Sequence, residues 1–557
     1  MRNKIVNTAL LLSVVGCNIL YCAPNSGDAL RESQISLPPE KKRVLPSIEY
    51  KVIDSKHLVY GEQKILVKGF KFTGNRTLTS ETLGLILNDY RDKELNFIQI
   101  DEAVAKITDT YRKEGYFVAR AYLPVQEIKD GILTLGVIEG NYGDIRIQNN
   151  TPINLDVIQC YTDAIDKNSS IRIQDVERAV LLIEDVPRVH VSSARLSPGA
   201  SVGSSDLNID VIEDSIVDGY AFVDNYGSRY TGYNRFSFGA NLNSIWYQGE
   251  KISFAGMVSD TKGLESGHVD FEKSLGGSGL KTRVSLFRTT YELGKEDANL
   301  NAHGSATGTS IGASYPLLKT RLQTVVLDTE IKHQDLADFI DATSYELKKQ
   351  SKTVRVGLSW SKEHMLAGMD GQTTATLSWT TGKVKFVDAA EALNDANGAH
   401  LQGHFDKINF DATRFFRVAN NINLKVYFRG QHVVGKKNLD GSEELSIAGA
   451  NGVRFFSPSE QNGDNGYVYG AELFCALGGM DDMHSTLSIF TDSGKAWQDI
   501  PVSSDLQRSL HDVGIGYYAD YKSFFAKAFV AKEIGNAQIL SDKVYETKFL
   551  VQAGFVF

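Results

Sequence analysis

A chain of 557 residues is too long for one ordinary domain, so several units are expected. Its 11 prolines, 49 glycines, abundant tyrosine and phenylalanine and only 4 cysteines suit an all-β membrane protein with helical appendages better than a cytosolic enzyme. The net charge of −9 offers no polybasic surface, which argues against nucleic acid as a partner.

Arg2 and Lys4 form a charged n-region, and Ile5 to Val15 an apolar h-region broken by Asn7, Thr8 and Ser13. That is the pattern of a secretory signal over residues 1–23, removed on maturation, which takes the charge from −9 to −11. Cleavage after Ala23 would place a bulky Tyr21 at the minus-three position. Val14-Val15-Gly16-Cys17 offers the alternative of a lipoprotein box with a lipidated Cys17. No later run of 18 apolar residues exists, so crossing a membrane would require a closed barrel. Cys160 and Cys475 fall in different predicted domains without CxxC or CxxH company and read as buried thiols.

Residues 24–63 read as an exported tether. Asp28 to Gln34 can form a short helix capped near Ser26 or Asp28, before Pro38-Pro39, the charged run Glu40 to Arg43 and Pro46. A flexible solvated linker is the favoured reading, a plug for the barrel the alternative.

Two modules with the order strand, helix, helix, strand, strand follow, over 64–140 and 141–214. In the first, Ile65 to Phe72 is a strand ending at the Gly74-Asn75 turn. Thr79 or Ser80 caps a helix with Leu83, Ile86 and Leu87 on one stripe. Ile100, Val104, Ile107 and Tyr111 mark a second helix stopped by Gly115. Tyr116 to Leu123 and Ile132 to Ile138 are the last strands, joined through Asp130-Gly131. In the second module the strands are Gly143 to Ile147, Val189 to Leu196 and Leu207 to Ile212, with helices over Leu155 to Ile165 and Ile173 to Ile183.

Residues 215–557 alternate with period two. At the end of the chain Phe549, Val551, Ala553, Phe555 and Phe557 share one face, while Lys548, Leu550, Gln552 and Gly554 share the other. Leu424, Val426, Phe428 and Gly430 alternate with Lys425, Tyr427, Arg429 and Gln431; Ile408, Phe410 and Ala412 alternate with polar residues in the same way. An aromatic outer face and a polar inner face suit a lipid-facing wall around a wet lumen, and about 340 residues at roughly 21 per strand and connection give about 16 strands. Phe555 and Phe557 are candidates for a terminal signal read by the barrel-assembly machinery.

The fold class is thus a transmembrane β-barrel preceded by two βααββ modules. Such modules ahead of an exported barrel resemble polypeptide-transport-associated (POTRA) domains. Ala119-Arg120-Ala121-Tyr122-Leu123-Pro124-Val125-Gln126, Asp130-Gly131, Glu139-Gly140 and Val223-Asp224-Asn225-Tyr226-Gly227-Ser228-Arg229-Tyr230-Thr231-Gly232 resemble the two-partner secretion transporters of the haemolysin-activator and haemagglutinin-transporter family. That resemblance implies sixteen strands, an outer-membrane location in a Gram-negative bacterium with POTRA domains in the periplasm, and one large secreted exoprotein as partner.

It also implies a site. The longest loop signal, Ile447 to Glu472, contains Gly452-Val453-Arg454-Phe455-Phe456. In the family the sixth extracellular loop folds into the lumen with a Val-Arg-Gly-aromatic tip; here Phe455 stands where the glycine would be, which puts the tip backbone in doubt. Ile489-Phe490-Thr491-Asp492-Ser493-Gly494 resembles the Phe-x-Asp-x-Gly wall motif, so Arg454 and Asp492 are the expected lumen lock, with Val453, Phe455, Phe456, Phe490 and Gly494 around them.

Exposed module edges can accept an unfolded chain by strand addition. The candidate edges are Tyr116 to Leu123 and Val189 to Leu196, with Tyr116, Arg120, Tyr122, Pro124, Gln126, Val189 and Val191 as contact residues. The Gly308-Thr309-Ser310-Ile311-Gly312 match to a hydrolase elbow lies in an alternating strand with no helix after it. HExxH and GxxxxGK followed by Ser or Thr are absent, so no enzyme activity or cofactor is expected. The rival functions are a barrel-assembly factor of the same superfamily and a passive porin or adhesin.

Overall fold

The computed structural model describes residues 25–34, 48–50, 64–480, 482–501 and 507–557. The signal over 1–23, its cleavage site and the alternative at Cys17 lie outside them, as do Pro38-Pro39, the Glu40 to Arg43 run and Pro46.

The reading of residues 25–34 as a solvated linker is corrected. They form helix α1 (Ser26–Glu32) within the barrel lumen, with Ser26, Asp28 and Glu32 buried. It starts two residues earlier than expected because Asn25 builds a capping box, its side chain accepting the Gly27 and Asp28 N–H groups while Asp28 accepts the Asn25 N–H. Further along, β1 (Ile48–Tyr50) pairs with the second module.

In the first module β2 (Lys64–Val67) and β3 (Gly69–Thr73) replace one expected strand, because the chain changes partner at Lys68, whose N–H bonds Gly131 O at 2.8 Å. Helix α2 (Ser80–Ile86) is capped by Thr79, which accepts the Thr82 N–H at 3.2 Å. After β4 (Lys93–Asn96), the partner of β2, helix α3 (Phe97–Lys113) buries Ile100, Val104, Ile107 and Tyr111 as their spacing predicts. The predicted strand Tyr116 to Leu123 shrinks to β5 (Arg120–Tyr122), since Tyr116 and Phe117 are used in the turn out of α3 and Pro124 supplies no N–H. β6 (Ile132–Ile138) runs as read, and the sheet order is β3-β6-β5.

The second module contains β7 (Asn141–Asn150), α4 (Leu155–Asp163), α5 (Ile173–Glu184), β8 (Val189–Pro198) and β9 (Ser204–Glu213). Leu207, Ile209 and Val211 of β9 pack fully buried against Val176, Val180 and Ile183 of α5. The sheet order is β1-β8-β9-β7, so the linker strand β1 covers β8 in parallel, Ile48 opposite Ala194 and Tyr50 opposite Leu196. This module is seated on the barrel rim: Arg178 donates to Ser278 O at 2.9 Å, Ser244 donates to Pro187 O at 2.8 Å, and Arg188 stacks 5.4 Å from the Tyr247 ring centroid.

Sixteen antiparallel strands then close a barrel, the first (Val217–Asp224) pairing with the last (Lys548–Val556) from Tyr220 opposite Val556 to Asp224 opposite Gln552. In the last strand Phe549 and Phe555 are 58% and 40% exposed while Leu550 and Gln552 are 2% and 0%, so the outer face is apolar and the inner face is filled. Phe557 extends the closure, exchanging backbone hydrogen bonds with Gly219. The GxSxG match at Ser310 lies inside the sixth barrel strand (Ala302–Lys319), followed by another strand. Cys160 and Cys475 are partly buried free thiols.

Candidate functional site

Between the eleventh barrel strand (Ile422–Val434) and the twelfth (Asn465–Met480) runs the sixth loop on the side opposite the modules, and it folds back into the lumen. A two-residue ladder, Leu445–Ser446 with Asn462–Gly463, narrows its stem. Val453, Phe455 and Phe456 at its tip are buried against Phe490, Leu510 and Phe529 of the wall.

Arg454 reaches the wall from this tip. Its Nε donates to Asp492 Oδ2 at 2.8 Å and its Nη2 to Glu472 Oε2 at 2.9 Å, with all three residues at least nine-tenths buried. Tyr427 donates to Asp492 Oδ1 at 2.8 Å, and Ser488 and Tyr518 donate to Glu472 Oε1, each at 2.7 Å. The guanidinium lies 3.7 Å from the Phe490 ring centroid and 5.1 Å from that of Phe529, so aromatic faces hold its plane while carboxylates hold its edges. Asp512, opposite Asp492 in the next strand, accepts the Phe455 N–H at 2.7 Å and the Asp492 N–H at 3.2 Å.

The expected Arg454–Asp492 pair is therefore in contact, with Val453, Phe455, Phe456 and Phe490 packed around it. Gly494 lets Ile447 lie close, an added Cβ there standing 3.1 Å from the Ile447 Cβ. The doubt raised by Phe455 is resolved: its φ is not positive, and its ring fills a site between Phe456 and Tyr545, with centroids 5.0 and 5.1 Å away. Sequence reasoning missed Glu472 and Asp512. Their signal was an acid on the inward-facing register of a strand, where a carboxylate needs a partner.

Helix α1 fills the lumen beside this loop. Asp338 accepts the Ser26 N–H at 2.7 Å, the Ser26 hydroxyl at 3.0 Å and the Tyr291 hydroxyl at 2.8 Å. At the other end Glu32 accepts the Ser228 N–H at 2.8 Å and the Thr231 hydroxyl at 3.0 Å. Arg31 bonds Gly441 O and lies 3.5 Å from Glu444, and Asn462 donates to Asp28 at 3.1 Å, so the helix and the stem of the sixth loop hold each other. Gly27 is required there, since an added Cβ would stand 2.3 Å from the Ser442 nitrogen.

The module residues separate into four groups. Arg120 and Tyr122 are exposed on the free edge of β5, the Tyr122 ring covering Gly136. Pro124 and Gln126 are partly buried; the Gln126 amide exchanges two 2.7 Å bonds with the Thr134 backbone and so continues the ladder that Pro124 ends. Tyr116 lies at the joint between modules, its ring 5.8 Å from the Arg172 guanidinium. Val189 and Val191, expected as contacts, are core residues with 0% and 1% exposure. Their strand is not a free edge either, because β1 occupies it.

Residues 203–517 match the family described as haemolysin secretion/activation protein ShlB/FhaC/HecB, and residues 65–140 match the ShlB-type POTRA domain. The chain is 26% identical over 479 residues to the heme/hemopexin transporter protein HuxB of Haemophilus influenzae (strain 86-028NP), covering 84% of this chain and 83% of that protein. It is 20% identical over 491 residues to the hemolysin transporter protein HpmB of Proteus mirabilis, covering 84% of each. Among solved structures, CdiB from Escherichia coli shares the fold with a TM-score of 0.75 at 17% identity, covering 95% of both chains. BamA from Haemophilus ducreyi lacking POTRA domains 1-3 gives 0.50 at 12% identity, covering 89% of this chain and 100% of that one. With more than half of its length matched, the chain belongs to the haemolysin secretion/activation protein family.

Proposed function

We propose that this protein sits in the outer membrane of a Gram-negative bacterium, binds the secretion domain of one large partner exoprotein with its periplasmic modules, and passes that protein unfolded through its barrel. The observation that carries this reading is the content of the lumen: a helix and a loop bonded to the wall by hydrogen bonds and ion pairs, neither of them a strand of the closed barrel. The polar contacts can be exchanged for water or for a passing polar backbone, and the apolar packing of Val453, Phe455 and Phe456 adds to the cost of withdrawing the loop. The Arg454 cluster holds the closed state until cargo engages.

Recognition begins at the modules. The free edge of β5 offers main-chain hydrogen bonds to an extended segment, with Arg120 and Tyr122 beside it. A segment adding to β8 must first displace β1, so the linker to the lumen helix and the cargo compete for one edge. Folding of the cargo outside the cell supplies the outward bias.

Secretion of the cognate exoprotein, with and without residues 64–214, tests the reading. Export should be lost while the barrel still inserts. Unchanged export would favour a passive pore, and a fall in the abundance of other outer-membrane barrels would favour the assembly factor suggested by the BamA-like fold.

A further inference from the structure

The acids that hold Arg454 are surrounded by an unequal distribution of cations. Three carboxylates, Glu472, Asp492 and Asp512, converge on the tip of the sixth loop; the Arg454 guanidinium bonds the first two and the Phe455 N–H the third. When the loop withdraws, as the reading of it as a releasable lock requires, these acids remain on the wall in a confined lumen. An uncompensated carboxylate there would make the open state costly and brief.

Two lysines face the same space. Lys425 and Lys527 line a cavity of about 250 Å³ together with Arg454 and Glu472. Among the described residues neither lysine has a carboxylate within 4.0 Å; their ammonium groups lie instead 5.3 Å from the Tyr427 ring centroid and 5.9 Å from that of Phe525. Arg429, the other cation of this cavity, is already held by Asp411 at 3.1 Å. Lys425 is the direct cross-strand partner of Glu472, which puts both side chains on one face within reach of each other. Lys527 stands opposite Tyr518, whose hydroxyl bonds Glu472 at 2.7 Å. A lysine on a flexible four-carbon stem can swing to a vacated carboxylate, whereas a rigid guanidinium fork is suited to the fixed closed geometry.

We infer that Lys425 and Lys527 are stand-in cations, which pair with Glu472 and Asp492 when Arg454 leaves and so stabilise the open state of the sixth loop. In the closed state Arg454 occupies the acids and the lysines wait over aromatic rings. The lock then exchanges one set of ion pairs for another, and Glu472 and Asp492 keep a cation in both states.

Loop release can be read apart from secretion. In the full chain, reconstituted in phosphatidylethanolamine vesicles with its native cysteines changed to alanine, Ala448→Cys places a thiol on the loop that is 8% exposed when closed. Its rate of labelling by a maleimide reports opening. Arg454→Ala should raise that rate. Lys425→Met with Lys527→Met, which keep the length of the stems, should lower it about tenfold below the parent, with the heat-modifiable mobility of a folded barrel retained. Lys425→Arg with Lys527→Arg should restore it. A rate unchanged or raised in the methionine pair would overturn the stand-in role alone. Failure of Arg454→Ala to raise labelling would overturn the lock reading on which it rests.

Discussion

Asp492 and Glu472, on neighbouring barrel strands, share the guanidinium of Arg454 at 2.8 and 2.9 Å, an arrangement in which each acid keeps a bond if the other is lost. Truncating the arginine removes both bonds at once. Arg454→Ala should cost roughly 3–5 kcal/mol of closed-state stability because it leaves buried carboxylates unpaired. Glu472→Gln should cost less, since Asp492 retains the Nε bond and the Tyr427 hydroxyl. Insertion should survive in both variants, as judged by heat-modifiable migration, and exoprotein in the medium should fall most for Arg454→Ala. Normal secretion by Arg454→Ala and Asp492→Ala at normal barrel abundance would remove the lock.

Beneath the Phe490 ring that supports Arg454 lies Gly514. A Cβ there would stand 2.3 Å from Phe490 Cζ and 2.4 Å from the Val530 carbonyl oxygen. Gly514→Ala should therefore displace the ring and destabilise the closed loop by about 1–3 kcal/mol. Gly84 in α2 has open space around it, so Gly84→Ala should instead stabilise the first module by about 0.5–1 kcal/mol. Thermal melts of the two variants should move in opposite directions.

The architecture was legible because period-two and period-3.6 patterns are local: Phe549 to Phe557 and Ile100 to Tyr111 sort their faces without help from the rest of the chain. Arg454 and Asp492 were legible through motifs. Glu472 and Asp512 were not, because a lumen acid and an idle surface acid look alike until strand register sets them opposite a partner. The burial of Ser26 to Glu32 was hidden for a related reason. A short polar helix reads as solvated, and its polar groups are satisfied by residues far along the chain, Asp338, Ser228, Thr231 and Asn462 among them. Likewise β8 read as a free edge because its cover, β1, comes from far upstream.

Release of the lumen helix is open to a direct test at Asp338. That carboxylate accepts three hydrogen bonds, two from Ser26 and one from Tyr291, and Asp338→Ala leaves the Ser26 N–H and two hydroxyls without their acceptor. The helix should be weakened by roughly 1–3 kcal/mol, enough to raise the fraction of time it spends outside. Single-channel recordings should show longer open intervals than in the parent barrel. Identical open intervals would mean that the sixth loop alone sets conduction.

The joint between the modules turns on Glu139, whose Oε1 accepts the Arg76 and Thr77 N–H groups at 2.7 and 2.8 Å and the Tyr111 hydroxyl at 2.9 Å. Its Oε2 accepts the hydroxyl of Ser170, from the second module, at 2.9 Å. Burial alone would push this carboxyl up, but the hydrogen bonds, those of Thr77 foremost, outweigh it and hold the acid below its ordinary value of 4.5. A group lowered on folding adds stability that is fully present above that ordinary value and is lost as pH falls through the lower folded one. Protease protection of the joint in the detergent-solubilised full chain should therefore decline as pH falls below the ordinary value of 4.5. Glu139→Gln presents an amide to these donors and should be less protected near neutral pH, by about 1–3 kcal/mol, and flatter across the acid range. Parallel acid profiles for the two proteins would show that another group governs the joint.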